Sequence, residues 1–231
     1  TQLQCHQNNM GAFGGPDIVT DGLIFAVDAG STRSYPGTGT VATDLVGSKT
    51  GTLTNGVGFN SNNGGSWDFD GTDDYINFGV TGFDFGTGNF NVSCWIKTTM
   101  TNASYTGVVS KYSTTGLWIQ LTPTNKYVGF GWHGSTFLLS TTTPVNNGAW
   151  RHISCQRTGS TTAEIYVDGV LITSGVGSSA SSDSTHQLDI GRIDVSGRYF
   201  DGDISNTMLY NKALTAAEIS QNYNAQKNRF I

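Results

Sequence analysis

Of the 17 acidic residues in this 231-residue chain, only Glu164 and Glu218 are glutamates. Glycoside hydrolysis needs two carboxylates about 5 Å apart, one attacking and one serving as acid and base. Acids at alternate positions of one strand share a face and can meet that need. Neither glutamate stands in such a Glu-x-Asp-x-Glu run; Glu164 has Tyr166 and Asp168 at the following same-face positions. Asp68/Asp70 and Asp201/Asp203 do have the i,i+2 spacing, but both pairs sit beside glycine turns, the setting of solvated turn carboxylates. No Gly-x-Ser-x-Gly elbow is present for a nucleophilic serine. His6, His133, His152 and His186 fall in no metal-ligand spacing. The sequence therefore assigns no catalytic residue, no metal ligand and no cofactor.

Sugar recognition asks for less: an aromatic platform with amide and carboxylate partners. Trp95, Trp118, Trp132 and Tyr105 are the candidates, although an aromatic on an alternating strand more often belongs to a core. No ligand-binding residue is assigned. Two Asn-x-Ser sequons, Asn91-Val92-Ser93 and Asn102-Ala103-Ser104, read as chance occurrences. Cys5, Cys94 and Cys155 are too few and too odd in number for a disulfide framework. Cys94 alternates with Val92 and Ile96, and Cys155 with Ile153, so both are expected as reduced core thiols, with an inter-strand disulfide as the alternative.

The elements that must position these residues are short strands. Charged residues are 13% of the chain, about half the usual ~25%, so its surface is built largely of Ser, Thr, Asn and Gly. Phe90, Val92, Cys94 and Ile96 share one face of a strand over 90–98, with Asn91, Ser93, Trp95 and Lys97 on the other. Further strands are expected at 23–27, 108–112, 117–121, 127–132, 137–140, 150–157, 187–193 and 204–210. Two strands within 164–172 are joined by Asp168-Gly169, the pair that accepts positive φ in a type I′ turn. Residues 30–65 read as loop-rich. Thr215-Ala216-Ala217-Glu218 is a capping box that opens one C-terminal helix, with Ile219 and Tyr223 on its apolar stripe. Residues 1–20, rich in Gln, Asn and Gly, read as an extended arm that orders only against something else. The sum is an all-β, two-sheet antiparallel sandwich over 21–231 with one short helix.

Six segments carry a resemblance in the correct order. Phe69-Asp70-Gly71-Thr72-Asp73-Asp74-Tyr75-Ile76, Phe90–Ile96, Trp150-Arg151-His152, Tyr166–Gly169, Leu188-Asp189-Ile190-Gly191-Arg192 and Tyr210-Asn211-Lys212-Ala213-Leu214-Thr215 with Glu218-Ile219 resemble the signatures of concanavalin A-like, laminin-G-like jelly rolls. That resemblance implies a jelly roll. Many relatives carry a structural Ca²⁺ with one ligand from an Asp in a Gly-x-Ile-Asp segment; here Gly202-Asp203-Ile204-Ser205 puts a serine at that place, so no metal is expected. Gly15-Pro16, Val19–Leu23, Asp28–Gly30, Ser34–Gly37, Gly51–Gly56 and Phe59–Ser61 are similar to the leading segment of such domains in virion proteins of tailed bacteriophages.

The expected function is that of a non-enzymatic virion structural protein, a capsid decoration or cement protein. Its expected partners are the major capsid protein or another virion protein and further copies of itself, a trimer being one arrangement. The alternative is a carbohydrate-binding, lectin-like module or adhesin domain, secreted or at a cell surface, with a glycan as partner. A net charge of -5 with 12 scattered Lys and Arg excludes a nucleic-acid partner. No apolar run approaches the ~18 residues of a membrane span. No secretory signal opens the chain, which favours use without export.

Overall fold

A computed structural model describes residues 16–133, 137–139, 143–159, 161–194 and 197–231. Cys5, His6 and the first fifteen residues of the expected arm lie outside them.

The strands, in order, are β1 (Leu23–Asp28), β2 (Val41–Thr43), β3 (Thr50–Thr54), β4 (Gly58–Asn60), β5 (Ser66–Asp70) and β6 (Tyr75–Asn77). The middle of the chain adds β7 (Phe90–Lys97), β8 (Thr106–Tyr112), β9 (Gly116–Leu121), β10 (Val128–Trp132), β11 (Phe137–Leu139) and β12 (Arg151–Thr158). The last are β13 (Thr162–Val167), β14 (Val170–Val176), β15 (Asp189–Ile190), β16 (Arg192–Ile193), β17 (Arg198–Tyr199) and β18 (Asp201–Tyr210), before helix α1 (Ala216–Gln226) and a 3-10 turn at Lys227–Arg229. Three strands, β2 to β4, lie where the sequence reads as loop. They are three to five residues long, too short to show a period. The expected strand at 187–193 is two short pieces, broken at Gly191, whose φ is +89° and whose added Cβ would meet the Phe69 ring.

Two antiparallel sheets face one another. Sheet A runs β14-β13-β12-β7-β18, after which β5 and β4 continue from the first half of β18 and β1 pairs with its second half. Sheet B runs β11-β10-β9-β8-β15-β6-β3-β2. The inner faces meet in one core that includes Phe90, Val92, Cys94, Ile96, Ile153, Cys155, Ile165 and Val167, as the alternation requires. Both described cysteines are free and buried, and burial pushes the Cys94 thiol up to about 12. Asp168 at φ +52° and Gly169 at φ +80° form the turn between β13 and β14.

Strand β18 carries a bulge. Ile204 pairs with Ile96 and Thr207 with Cys94, so Ser205 and Asn206 together oppose the single residue Trp95. A bulge of this kind re-aims side chains. Both extra side chains reach partners on the outer side of sheet A: Ser205 the carbonyl of Gly65, and Asn206 the end of α1.

Candidate binding surfaces

Helix α1 lies across the outer face of sheet A. The capping box forms: the Glu218 amide donates to the Thr215 hydroxyl at 3.2 Å, and the Thr215 amide to the Glu218 carboxylate at 2.7 Å. Lys212 and the Thr215 amide hold the Glu218 carboxyl below its usual range. Ile219 packs with Val19, Tyr166, Tyr210 and Leu214. Buried Asn222 accepts from the Val19 amide at 2.8 Å and donates to the Tyr210 hydroxyl, which donates to the Val19 carbonyl. Residues 17–19 of the expected arm are thus bound to the sandwich, with Gln221 also donating to the Asp17 carbonyl.

Beyond the helix end, a cavity of about 470 Å³ opens between β1, the loop at 30–33, the β18 bulge and residues 225–229. Its floor is apolar: Ile18, Leu45 and Met208. Its rim offers the side chains of Ser31, Thr32 and Asn228, and one exposed cation, Arg33. Asn206 donates to Gln226 at 2.9 Å, while its own carbonyl oxygen is buried with no partner among the described residues. Such a buried oxygen costs about 1–3 kcal/mol. Asp28 is the single carboxylate among the described residues of the wall, and both its oxygens are held at 2.8 Å by Arg229. Glycoside hydrolysis uses a pair of carboxylates, and this wall presents one, already engaged, among the described residues.

The outer face of sheet B is different. Across it run Trp118, Ser110, Asp189, Asn77 and Thr52, paired strand to strand. Arg192 donates to Asp189 at 2.9 Å, pairs with Asp194 at 3.1 Å and lies 3.4 Å from the Tyr75 ring centroid. His186 meets Asp194 at 2.7 Å. Burial pushes the Asp189 carboxyl up to about 6, and Arg192 beside it only partly offsets this. His186, Asp189 and Asp194 present ligand atoms within 4.8 Å of one another, a proximity that their sequence spacing does not suggest. Arg192, bonded to both carboxylates, already supplies positive charge there.

The family model described as the concanavalin A-like lectin/glucanases superfamily matches residues 70–220. The chain belongs to this superfamily. No curated protein matches it in sequence. Among solved structures, the binding domain of Paraclostridial Mosquitocidal Protein 1 superposes with a TM-score of 0.73 at 15% identity, covering 88% of this chain and 52% of that one. This chain thus spans about half the length of that domain. Domain 4 of AbnA, an extracellular GH43 arabinanase from Geobacillus stearothermophilus solved with arabinotriose, superposes at 0.67 and 17% identity, covering 87% of this chain and 98% of that one. Trypanosoma rangeli sialidase, solved with sialic acid, gives 0.69 at 16%, covering 94% and 35%. At these identities the likeness is one of fold.

Within that superfamily fold, the expected sugar platforms fare unequally. Trp132 lies in the core, and Trp95 is fully buried on the outer face of sheet A, its ring stacked on Phe230 at 4.3 Å and on Tyr223 at 5.7 Å. Trp118 is buried on the outer face of sheet B. Tyr105 remains half-exposed there, with Arg198 5.3 Å from its ring centroid. His152 is buried under the helix, and desolvation lowers its imidazole to about 3. The register of β5 with β18 sets Asp70 opposite Asp201 and Asp68 opposite Asp203. This gathers the two aspartate pairs, and burial with the neighbouring acids pushes Asp68 up. Asp68 and Asp70 stay exposed, and Asp203 accepts from Ser66 at 2.7 Å. The residues that sequence reasoning missed are Asn206, Gln226, Arg33 and Arg229. Asn206 is aimed by a bulge that leaves no mark on the alternation, and Arg229 lies beyond the last motif.

No described helix is long and apolar enough to cross a membrane.

Proposed function

We propose that this chain is a non-catalytic, lectin-like carbohydrate-binding domain, and that its glycan enters the cavity beside α1. The observation that carries this reading is the cavity's make-up. An apolar floor accepts the C–H face of a sugar ring, and the hydroxyls of Ser31 and Thr32 and the exposed Asn228 amide on its rim match ring hydroxyls. The binding of arabinotriose by a domain of the same fold and similar length supports it. The exposed Arg33 at the rim favours a glycan that bears a carboxylate. Such a domain works outside the cell, secreted or at a surface.

A screen of immobilised neutral and acidic glycans, followed by calorimetry, tests the proposal. Expected are saturable binding of at least one glycan and no release of reducing sugar from it. Absence of binding across the screen, or turnover of a bound glycan, overturns it.

A virion setting is a second, compatible proposal. It rests on the likeness of segments within residues 15–61 to leading segments of phage virion domains. A symmetric homo-oligomer bound to the major capsid protein is its decoration form. Co-sedimentation of the protein with undecorated particles, in the absence of any glycan, decides for that form.

A further inference from the structure

Five oxygens converge on the guanidinium of Arg229. Its Nε donates to the Asn63 carbonyl at 2.7 Å. Nη1 donates to both carboxylate oxygens of Asp28, each at 2.8 Å. Nη2 donates to the Gly65 carbonyl at 2.5 Å and to the Ser205 hydroxyl at 2.6 Å. All three nitrogens of the guanidinium are therefore engaged. The oxygens come from β1, the turn between β4 and β5, and the β18 bulge. The arginine comes from the C-terminus.

One carboxylate, two backbone carbonyls and a hydroxyl, drawn from separate segments, make the kind of donor set that a hard cation takes. The set does not fit Ca²⁺ as it stands. It offers five oxygens and one negative charge, where Ca²⁺ takes six to eight oxygens and favours several carboxylates. Ser205 supplies a neutral hydroxyl where a second carboxylate would be needed. One carboxylate does balance one guanidinium. Space is closed as well: a Cβ on Gly30 would lie 2.3 Å from Nη2, and one on Gly64 3.0 Å from Nε. Gly64 and Gly65, at φ +74° and +115°, turn their carbonyl-bearing backbone around the arginine. The Arg229 side chain is 14% exposed and that of Asp28 23% exposed.

We infer that Arg229 is a built-in cation: it fills an oxygen cage whose single carboxylate suits one positive charge and not a divalent metal, and so makes the closure of the C-terminal segment independent of metal. The segment is closed at two further points. Asn63 donates to the Arg229 carbonyl at 3.2 Å, and Phe230 packs on Trp95 and Trp150. A metal would hold the three cage segments together but leave the C-terminus free. The guanidinium holds all four.

The test uses the full chain and the melting temperature, with EDTA or millimolar CaCl₂ added. The wild type should melt at the same temperature in both. Arg229→Ala should melt about 5–15 °C lower, because Asp28 is left part-buried and unpaired. Arg229→Ala combined with Ser205→Asp should regain part of that loss in CaCl₂ and lose it again in EDTA, with Ca²⁺ binding visible by calorimetry. A wild-type melting temperature that falls in EDTA and recovers with Ca²⁺ overturns the inference, and this arm needs no variant to fold. So does an Arg229→Ala protein as stable as the wild type, or a folded double variant that ignores Ca²⁺.

Discussion

The two sheets turn outward very differently. The outer face of sheet A carries Trp95, His152, Tyr166, Met208 and Tyr210, and the chain's own helix and C-terminus cover it. The outer face of sheet B carries Asp189, Asn77, Tyr75 and Gln120 with the arginines Arg192 and Arg198; Arg192 pairs with Asp189 and Asp194, and Arg198 donates to Gln120. The same alternation produces both faces. Aromatic residues on an outward row therefore signal a covering element at least as readily as they signal a ligand. The cavity proposed for glycan lies at the rim of the covered face, where the cover ends and apolar floor is still exposed.

The largest expected effect distinguishes the two faces by truncation. Trp95→Ala should destabilise the protein by about 3–5 kcal/mol in chemical denaturation, the range for a large-to-small core change. Tyr75→Ala on sheet B, a half-buried ring, should cost about 1 kcal/mol or less. Equal losses would show that the cover on sheet A is not a second core.

A sharper probe is acid. His152 is held neutral by burial, with its pKa lowered to about 3. The unfolded chain takes up a proton near the ordinary histidine value of about 6.5, so His152 lowers stability as pH falls from there towards 3. His152→Phe should remove that contribution, about 1 kcal/mol for each pH unit below 6.5. Identical pH profiles of wild type and variant would mean that the covered face admits water.

Sheet B should show a smaller effect of opposite sign. Asp189, raised to about 6, keeps a proton in the folded state that the unfolded chain releases near 3.8. Its contribution is full below about pH 4 and is lost as pH rises through 6. Asp189→Asn should flatten this slope, which is about 1 kcal/mol per pH unit over the narrower span between the two values. A variant that keeps the wild-type slope would place the titration elsewhere.

Much of this architecture is legible in the sequence. Phe90 to Lys97 show the alternation of β7, Asp168-Gly169 marks the hairpin of β13 and β14, and Thr215 with Glu218 opens the helix. The short strands β2 to β4 are not legible, because three to five residues are too few to show a period. The site is harder still. Trp95 alternates as any outward platform would, and only the path of residues 216–230 shows that the chain covers it. Asn206 and Ser205 owe their direction to a register shift, and the cage depends on Arg229 meeting oxygens from residues 28, 63, 65 and 205, a contact that no local pattern contains.

The most direct test of the account is to locate a bound glycan. Calorimetry with a glycan that binds the wild type should show affinity falling at least roughly tenfold, about 1.4 kcal/mol, in Arg33→Ala and in Thr32→Trp, which fills the cavity mouth. Arg198→Ala and Tyr105→Ala on sheet B should bind as the wild type does. Loss of binding in the sheet B variants, with Arg33→Ala and Thr32→Trp unaffected, would contradict the account and move the site to the open face.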